Sequence, residues 1–577
     1  MTANGIQSFN FARVNDPISG LPGHQNRQFS ANSYLKTGIE GELFGGDFTW
    51  GANYGYSRSV QRVYNLNNIS AEKSAAALDA VINPANGRIV CQISLTPFAS
   101  RFPDCEPLNP FGPTSISKSA WAFVTDDTRY TLANLMHDAN LQVAGSPFSL
   151  WAGPVRFAVT GEYRWLSLRN ISNAEPANKP DCTGLRIVGV NCLPTTPLYS
   201  SNSTASMYAT QNVKEVSGEM LLPLLKDVPF FQSLELNVAG RYTDYSTSGS
   251  VETWKLGGTW QVNDELRFRA SKSKDIRAPT LQDLFAPQSA GVGGFTDLHT
   301  NISNALVTYT QGNPTLVPEV AKTNTVGMVY QPNWLPRFSL TVDYYEIQMQ
   351  NAITNQGPSA NNQRECEDSG GVSPLCSTLE RPLPFSNHTP ANFPTRGLST
   401  GVNAQKQWTR GFDMEVNYRF DVADVVSSIP GELRLRALVA YQPLLKTQTI
   451  VSLPPTEASG IAGFSKLRVN MNVNYTLGAL SISVTDRFQT HQWQSDPRIN
   501  TDLRPIIKSA HYFDATISYE MSVRGHQFTP FVTIENLLDR QPPITGITGP
   551  TSGLRYPTAA GFDIVGRYFT GGIRARF

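Results

Sequence analysis

Polar and apolar residues alternate one by one along long stretches of the chain. In Leu467-Arg468-Val469-Asn470-Met471-Asn472-Val473-Asn474-Tyr475 every odd position is apolar and every even one polar. Residues 433–436 and 234–238 repeat the pattern. At the C-terminus Phe569, Ile573, Ala575 and Phe577 fall on one side, with Arg574 and Arg576 on the other. Side chains alternate across a strand, so each such segment has one apolar and one polar face. A soluble sandwich has the same period. Here the segments often reach about ten residues, and their polar faces carry Arg and Asn, which suits lipid outside and a wet lumen inside.

About 17 such strands are expected, more than an ordinary soluble sheet sustains. They cover 33–42, 48–61, 132–144, 155–168, 208–221, 234–245, 252–262, 266–274, 323–331, 338–353, 409–420, 433–444, 467–477, 480–488, 512–521, 528–537 and 567–577. The connections alternate in length. Links 44–47, 263–265, 333–337, 478–479 and 522–527 are short, whereas 62–131, 169–207, 275–322, 354–408 and 539–566 are long. Short turns on one rim and long loops on the other are the rhythm of an outer-membrane barrel. One helix is expected inside a long link, at 70–82, with Leu78, Val81 and Ile82 sharing a face.

Composition narrows the class. Charged residues are 16% of the chain, well below the roughly 25% of a soluble domain. No apolar run approaches the ~18 residues of a spanning helix. The 47 basic and 46 acidic residues leave a net charge of +1, which argues against a nucleic-acid partner. The N-terminus, MTANGIQSFNFARV, has no basic segment followed by an apolar one and so no signal peptide. A barrel must be exported, so the expectation is a chain truncated on its N-terminal side.

The six cysteines form three close pairs: Cys91 and Cys105, Cys182 and Cys192, Cys366 and Cys376. Disulfides in an oxidising compartment are the favoured reading. A zinc site is the alternative, but no pair has C-x-x-C spacing and the seven histidines are scattered, so no metal site is expected.

No G-x-S-x-G elbow, P-loop, H-E-x-x-H or G-x-G-x-x-G preceding a helix is recognised, so neither an enzymatic activity nor a cofactor is expected. Asp126-Asp127, in a long link, reads as a solvated pair. The loop aromatics Trp121, Tyr130, Phe295 and Trp493 either stack on a ligand or pack the loops together, with equal weight on each. Arg434, Arg436, Arg468, Arg574 and Arg576 are expected to face the lumen, where contact with a plug is the preferred reading over lining a ligand path.

Several runs resemble the TonB-dependent receptor family. The run 266–285 contains Arg277-Ala278-Pro279 and Leu284-Phe285, and is similar to a hallmark barrel strand with the start of the loop after it. Asn313-Pro314, Pro318-Glu319 and the following 323–327 resemble the entry into the next strand. The run 531–539, with Asn536-Leu537 and Asp539, resembles the penultimate strand, and 566–577 the closing one. These matches are spread in order along essentially the whole chain.

The resemblance implies an all-β fold: a transmembrane antiparallel β-barrel of the outer-membrane receptor type, with long extracellular loops. It also implies an incomplete one, with about 17 of some 22 strands. On this reading 33–577 is the barrel and 1–32 a strand or loop remnant. A plug, and the segment before it that contacts the TonB complex, are absent. The first strand then lacks its partner, and a gap is expected between 33–42 and 567–577. The implied function is energy-coupled uptake of a scarce small-molecule ligand, an iron chelate or an oligosaccharide, across the bacterial outer membrane. Outer-membrane lipid surrounds the barrel, and the assembly machinery reads the terminal Phe577. Arg277 and Asp283 are expected to fix a loop's root. The alternative is a passive porin-like channel.

Overall fold

Among the described residues, seventeen long strands follow one another in chain order through a single antiparallel sheet, each hydrogen-bonded to the next. The structure, a computed structural model, describes residues 20–577 except 113, 187–191, 194–195, 200–202, 450–452, 496, 498–505, 544–560 and 577. The strands are β1 (Gln25–Leu43), β2 (Phe48–Ile69), β3 (Thr125–Gly145), β4 (Arg156–Ser172), β5 (Met207–Val228) and β6 (Phe231–Tyr245). They continue with β7 (Gly249–Gln261), β8 (Leu266–Arg277), β9 (Glu319–Tyr330), β10 (Phe338–Gln356), β11 (Arg396–Asp421) and β12 (Glu432–Gln448). The last are β13 (Leu467–Leu477), β14 (Leu480–Gln489), β15 (Ala510–Tyr519), β16 (His526–Glu535) and β17 (Tyr568–Arg576). No helix among the described residues is long and apolar enough to cross a membrane.

The register sorts the side chains into two faces. Tyr54, Ala139 and Tyr163 are opposed in turn, as are Val238, Leu256 and Lys272. Across the middle of the sheet the row reads Ala270, Val326, Tyr344 and Phe412, and later Ile482, Ile517 and Val532. Val238, Val326, Ile517 and Val532 are all exposed, an apolar band that only a bilayer would cover. Toward the short-turn rim the band ends in aromatic clusters: Phe44, Phe48 and Phe157; Phe231, Trp260 and Phe268; Phe338, Tyr418 and Phe420. Trp260 Nε1 donates to the Phe230 carbonyl at 2.8 Å and the Tyr475 hydroxyl to that of Pro430 at 2.6 Å. Rings anchored at one polar end suit a membrane–water boundary.

About ten tilted residues cross a bilayer. β2 has 22 and β11 has 26, so both run far beyond it on the long-loop side. Hence β2 continues to Ile69 rather than residue 61, β3 starts at Thr125 rather than 132, and β11 at Arg396 rather than 409. Outside lipid the ladder persists without the apolar alternation that marks it in sequence. β1 likewise begins at Gln25, before residue 33.

Every link after an odd-numbered strand is short. Arg524 and Gly525, with φ of 53° and 84°, close a two-residue turn between Val523 and His526, the geometry that matches strand twist. Links after even-numbered strands are long, at 70–124, 173–206, 278–318, 357–395, 449–466, 490–509 and 536–567, apart from the tight turn 246–248. The expected helix at 70–82 is shorter. It spans Ala71–Leu78, and Ala75, Ala76 and Ala77 are its buried positions. Val81 and Ile82 instead pair with Val90 and Ile89 in a small hairpin, because their β-branched side chains favour an extended backbone. Lys118–Val124, Leu281–Phe285 and Ala360–Asp368 are further loop helices.

Among the described residues, β1 pairs with β2 alone and β17 with β16 alone, so the strands at 33–42 and 567–577 are not joined. The facing assignment makes a direct prediction. Val326→Arg places a charge on the lipid face and should cost about 2–4 kcal/mol, whereas Thr325→Arg, on the inner face, should cost about 1 kcal/mol. Denaturant midpoints of the chain refolded into lipid vesicles measure both.

Candidate functional site

The inner face and the long-loop rim carry the polar chemistry. Arg–carboxylate pairs cross the inner face, most between neighbouring strands and one from β8 to β10 over Gly327 of β9. Arg269 holds Asp343 through Nε at 2.8 Å and Nη2 at 2.5 Å, and Arg487 holds Asp514 at 2.7 and 3.1 Å. Arg436 Nε reaches Glu415 at 2.9 Å, while Arg419 and Arg434 share Glu432, both at 2.6 Å. Glu215, 8% exposed, accepts from Arg241 at 3.2 Å, Arg164 at 3.4 Å and the Thr243 hydroxyl at 3.1 Å. Around it lies a polar concavity of about 590 Å³ that also takes in Lys255 and Asp275. The sequence expectation did not single out Glu215, because its partners sit on the strands either side.

The run 266–319 builds a loop root. Arg277 and Glu319 form the last rung of the β8–β9 ladder. The guanidinium grips the buried Glu319 carboxylate with two bonds of 2.7 Å, and Nη1 reaches Asp283 at 3.0 Å. Glu319 also accepts the Ile353 N–H at 2.7 Å, which ties in β10. Thr280 and Asp283 cap Leu281–Phe285 reciprocally. The helix buries Leu284 fully and packs Leu281 and Phe285 on Leu168 and Ala209. Asn313 donates to the Gly401 carbonyl at 2.9 Å, and a Cβ at Gly312 would overlap the backbone of Leu284 and Ala286. Ala278, Pro279, Pro314 and Pro318 line the same root, where proline's lack of an N–H costs no ladder bond.

A second root leaves β16. Asn536, fully buried with φ of 49°, bonds Asp514 through its N–H at 2.8 Å and bridges to Arg540 through its side chain. The Leu537 N–H reaches the Phe513 carbonyl, and Asp539 Oδ1 accepts the Arg567 N–H at 3.0 Å as β17 begins.

The long loops are laced to one another. Disulfides join Cys91 to Cys105, Cys182 to Cys192 and Cys366 to Cys376, with Cα separations of 6.1, 5.8 and 5.1 Å, all within long loops. Arg186 Nε reaches Asp79 at 2.9 Å and Lys179 reaches the Tyr309 hydroxyl at 2.7 Å. The loop strand 289–297 pairs with 203–204 on one side and 302–311 on the other, and 308–311 run parallel to 397–400. Asp297 and Arg381, both nearly buried, meet at 2.7 and 2.9 Å.

The four loop aromatics fall in different places. Trp121, 5% exposed, packs with Ala77, Ile116 and Val124 and donates to the Pro22 carbonyl at 2.9 Å. Phe295 meets Phe393 edge-on at 6.2 Å, and Trp493 bonds Gly460 and Ala462 through its backbone. Tyr130 lies on the extension of β3, opposite Val63 and Ser172. Asp126 and Asp127 remain open to solvent, Asp127 exposed and Asp126 half-buried, and each also makes a contact: Asp126 pairs with Lys73 at 2.7 Å, and Asp127 accepts the Asn67 N–H at 3.0 Å. Arg468 donates to the Gly463 carbonyl at 3.0 Å and Arg574 lies over the Phe531 ring at 4.8 Å. Phe577 lies outside the described residues. One run, 397–401, spells G-x-S-x-G. It sits inside β11, without the strand-to-helix turn that exposes a nucleophile.

Arg277→Ala should loosen 278–318 by about 2 kcal/mol by leaving Glu319 buried without its cation. Hydrogen exchange at 281–285 reads the effect, and Arg277→Lys should restore less than half of it, since an ammonium has no fork. Burial would raise the Asp283 pKa, but the Thr280 N–H and hydroxyl and Arg277 outweigh it and hold the carboxyl below its usual range. Its contribution is complete above the unfolded pKa and is lost as pH falls through the lower folded value. Protection of 281–285 should therefore stay flat from pH 7 to about 5 and drop only below about 4.

Residues 2–537 match the family described as TonB dependent receptor-like, beta-barrel. Over 113 residues, 20% of this chain and 14% of the relative, the chain is 28% identical to the vitamin B12 transporter BtuB of Vibrio vulnificus. Its fold is similar to that of the siderophore receptor PirA from Acinetobacter baumannii, at 13% identity and a TM-score of 0.55, over 96% of this chain and 63% of that one. A mutant of the ferric enterobactin receptor PfeA from Pseudomonas aeruginosa gives 12% identity and a TM-score of 0.57, over 96% and 62%. At such identities the likeness is one of fold, and the chain spans less than two thirds of the length of these relatives. With the family match running over β1 to β16 and the first loop root, the chain belongs to the TonB-dependent receptor β-barrel family.

Proposed function

We propose that this chain forms the membrane barrel and surface loops of a bacterial outer-membrane receptor, which captures a scarce nutrient for TonB-coupled import. The ligand we assign is a bulky metal chelate of the siderophore type, with an oligosaccharide as the competing class. The observation that carries the reading is the lacing of the long loops on one rim. Disulfides, a nearly buried ion pair and strand pairs across loops hold side chains in fixed places, as a binding surface requires. A passive channel has no such requirement. The relatives support the ligand class: PirA and PfeA are named as siderophore and ferric enterobactin receptors, and BtuB as a vitamin B12 transporter. On the same reading the apolar band meets outer-membrane lipid, the assembly machinery inserts the sheet, and the TonB complex acts through a plug.

Binding and leak separate the two functions. The chain carrying a signal peptide is displayed in the outer membrane of cells stripped of their own siderophore receptors, and ferric chelates and oligosaccharides are titrated in the cold. Saturable binding of a ferric chelate that weakens when the loop disulfides are reduced is the expected outcome. Solute leak with no saturable binding of any chelate would overturn the proposal in favour of a porin-like channel.

A further inference from the structure

Two histidines far apart in sequence meet in the loop cap. His299 follows the loop strand 289–297, His388 lies in the loop 357–395, and Glu367 is near the end of the helix Ala360–Asp368. The two imidazole rings are 4.0 Å apart, and Phe385 covers the His299 ring at 4.4 Å. One ligand atom from each of His299, His388 and Glu367 lies within 4.8 Å of the other two.

The hydrogen bonds decide where the lone pairs are. His299 Nε2 lies 3.1 Å from the Asn387 carbonyl oxygen, and His388 Nδ1 lies 3.2 Å from the His299 carbonyl oxygen. A carbonyl only accepts, so both of these nitrogens carry a proton. A neutral His299 then keeps its lone pair on Nδ1, and a neutral His388 on Nε2. His299 Nδ1 faces both oxygens of Glu367 at 3.0 Å. A lone pair and a carboxylate at that distance require a cation between them.

A proton would serve for His299 and Glu367, but it leaves the second imidazole unexplained. A metal ion accounts for all three groups. Bonds of about 2.0–2.2 Å from imidazole nitrogen and carboxylate oxygen span an edge of about 3 Å between two ligands of one ion. Backbone carbonyls that fix each ring's tautomer are the usual outer support of metal-bound histidine. The surroundings are rigid. Asp297 pairs with Arg381, the Cys366–Cys376 disulfide adjoins Glu367, and the fully buried Asn392 bonds the Leu383 N–H and the Pro384 and Asn387 carbonyls.

We propose that His299, His388 and Glu367 bind one divalent transition-metal ion of the zinc class and thereby tie the loop 278–318 to the loop 357–395. Two imidazoles and a carboxylate suit Zn²⁺ over Ca²⁺ or Mg²⁺, which take oxygen ligands. His388 is exposed, so the remaining coordination position opens to solvent and to any donor atom that enters the cap. The proposal stands whether or not the barrel imports a chelate.

The folded chain in detergent, stripped with a chelator, is titrated with Zn²⁺ against a chromophoric competitor near neutral pH. One equivalent should bind with a micromolar or tighter dissociation constant, and Co²⁺ should give the visible absorption of nitrogen coordination. His388→Ala, at an exposed position, and Glu367→Gln should each weaken binding about tenfold or more, while His491→Ala leaves it unchanged. Heat-shifted migration on gels verifies the fold of each variant. Absence of saturable Zn²⁺ binding by the folded parent chain would overturn the proposal, as would binding that survives both ligand substitutions.

Discussion

Hydrocarbon offers a peptide group no water to bond, and the rest of this molecule follows from that. Each unpaired N–H or C=O in lipid costs several kcal/mol, so every strand must find its whole ladder in its neighbours. Among the described residues the inner strands meet the demand in the least complicated order, each beside the next, while β1 and β17 each pair along one edge only. With the ladder settled, one side chain in two faces lipid and the other faces inward. The same rule sets the asymmetry of the links. A turn on one rim has only to reverse the chain, as Gly478-Ala479 does between β13 and β14, whereas on the other rim the chain is free to build.

The inner face solves a different problem. It is lined with charge, and the charges are matched across the ladder: Arg269 with Asp343, Arg436 with Glu415, Arg487 with Asp514. The same chemistry closes the sheet where strands become loops. Arg277 and Glu319 stand on the final rung between β8 and β9, and Asp539 meets the first residues that lead into β17. A ladder that frays at its last rung would expose backbone groups near the membrane boundary. A bidentate pair there fixes both the end of the sheet and the direction of the departing loop.

The sequence is most legible where lipid dictates it. Alternation marks β13 and β14 almost to the residue, because each apolar position faces the bilayer. Above the bilayer the pattern stops and the strands do not: β2 runs on to Ile69 and β11 begins at Arg396. The helix near 71 shows the converse error. Leu78, Val81 and Ile82 share a face on a helical wheel, yet the buried contacts come from Ala75, Ala76 and Ala77, and Val81 joins a hairpin. Trp121 reads equally as ligand platform or packing core until its indole N–H is seen bonded to Pro22. His299 and His388 are separated by 89 positions and show no spacing signal, since their proximity is made by two loops and the strands beneath them.

The ties in the loop cap differ in reach, and the difference sets what can move. Each disulfide closes a stretch of 10 or 14 positions inside one loop, so it stiffens that loop without fastening it to another. Attachment between loops falls to ion pairs, hydrogen bonds and strand pairs. These gather the loops 70–124, 173–206, 278–318 and 357–395 into one group, through Arg186 and Asp79, Lys179 and Tyr309, and Asp297 and Arg381. A second group forms where Ala462 and Gly463 bond Trp493 and Gln492, and where Phe562 packs on Ile507 and Tyr512. Among the described residues the Gln356 side chain ties the two groups, donating to the Thr449 carbonyl at 3.1 Å. Disulfides therefore set the shape of single loops, and the non-covalent ties set how the loops lie against one another.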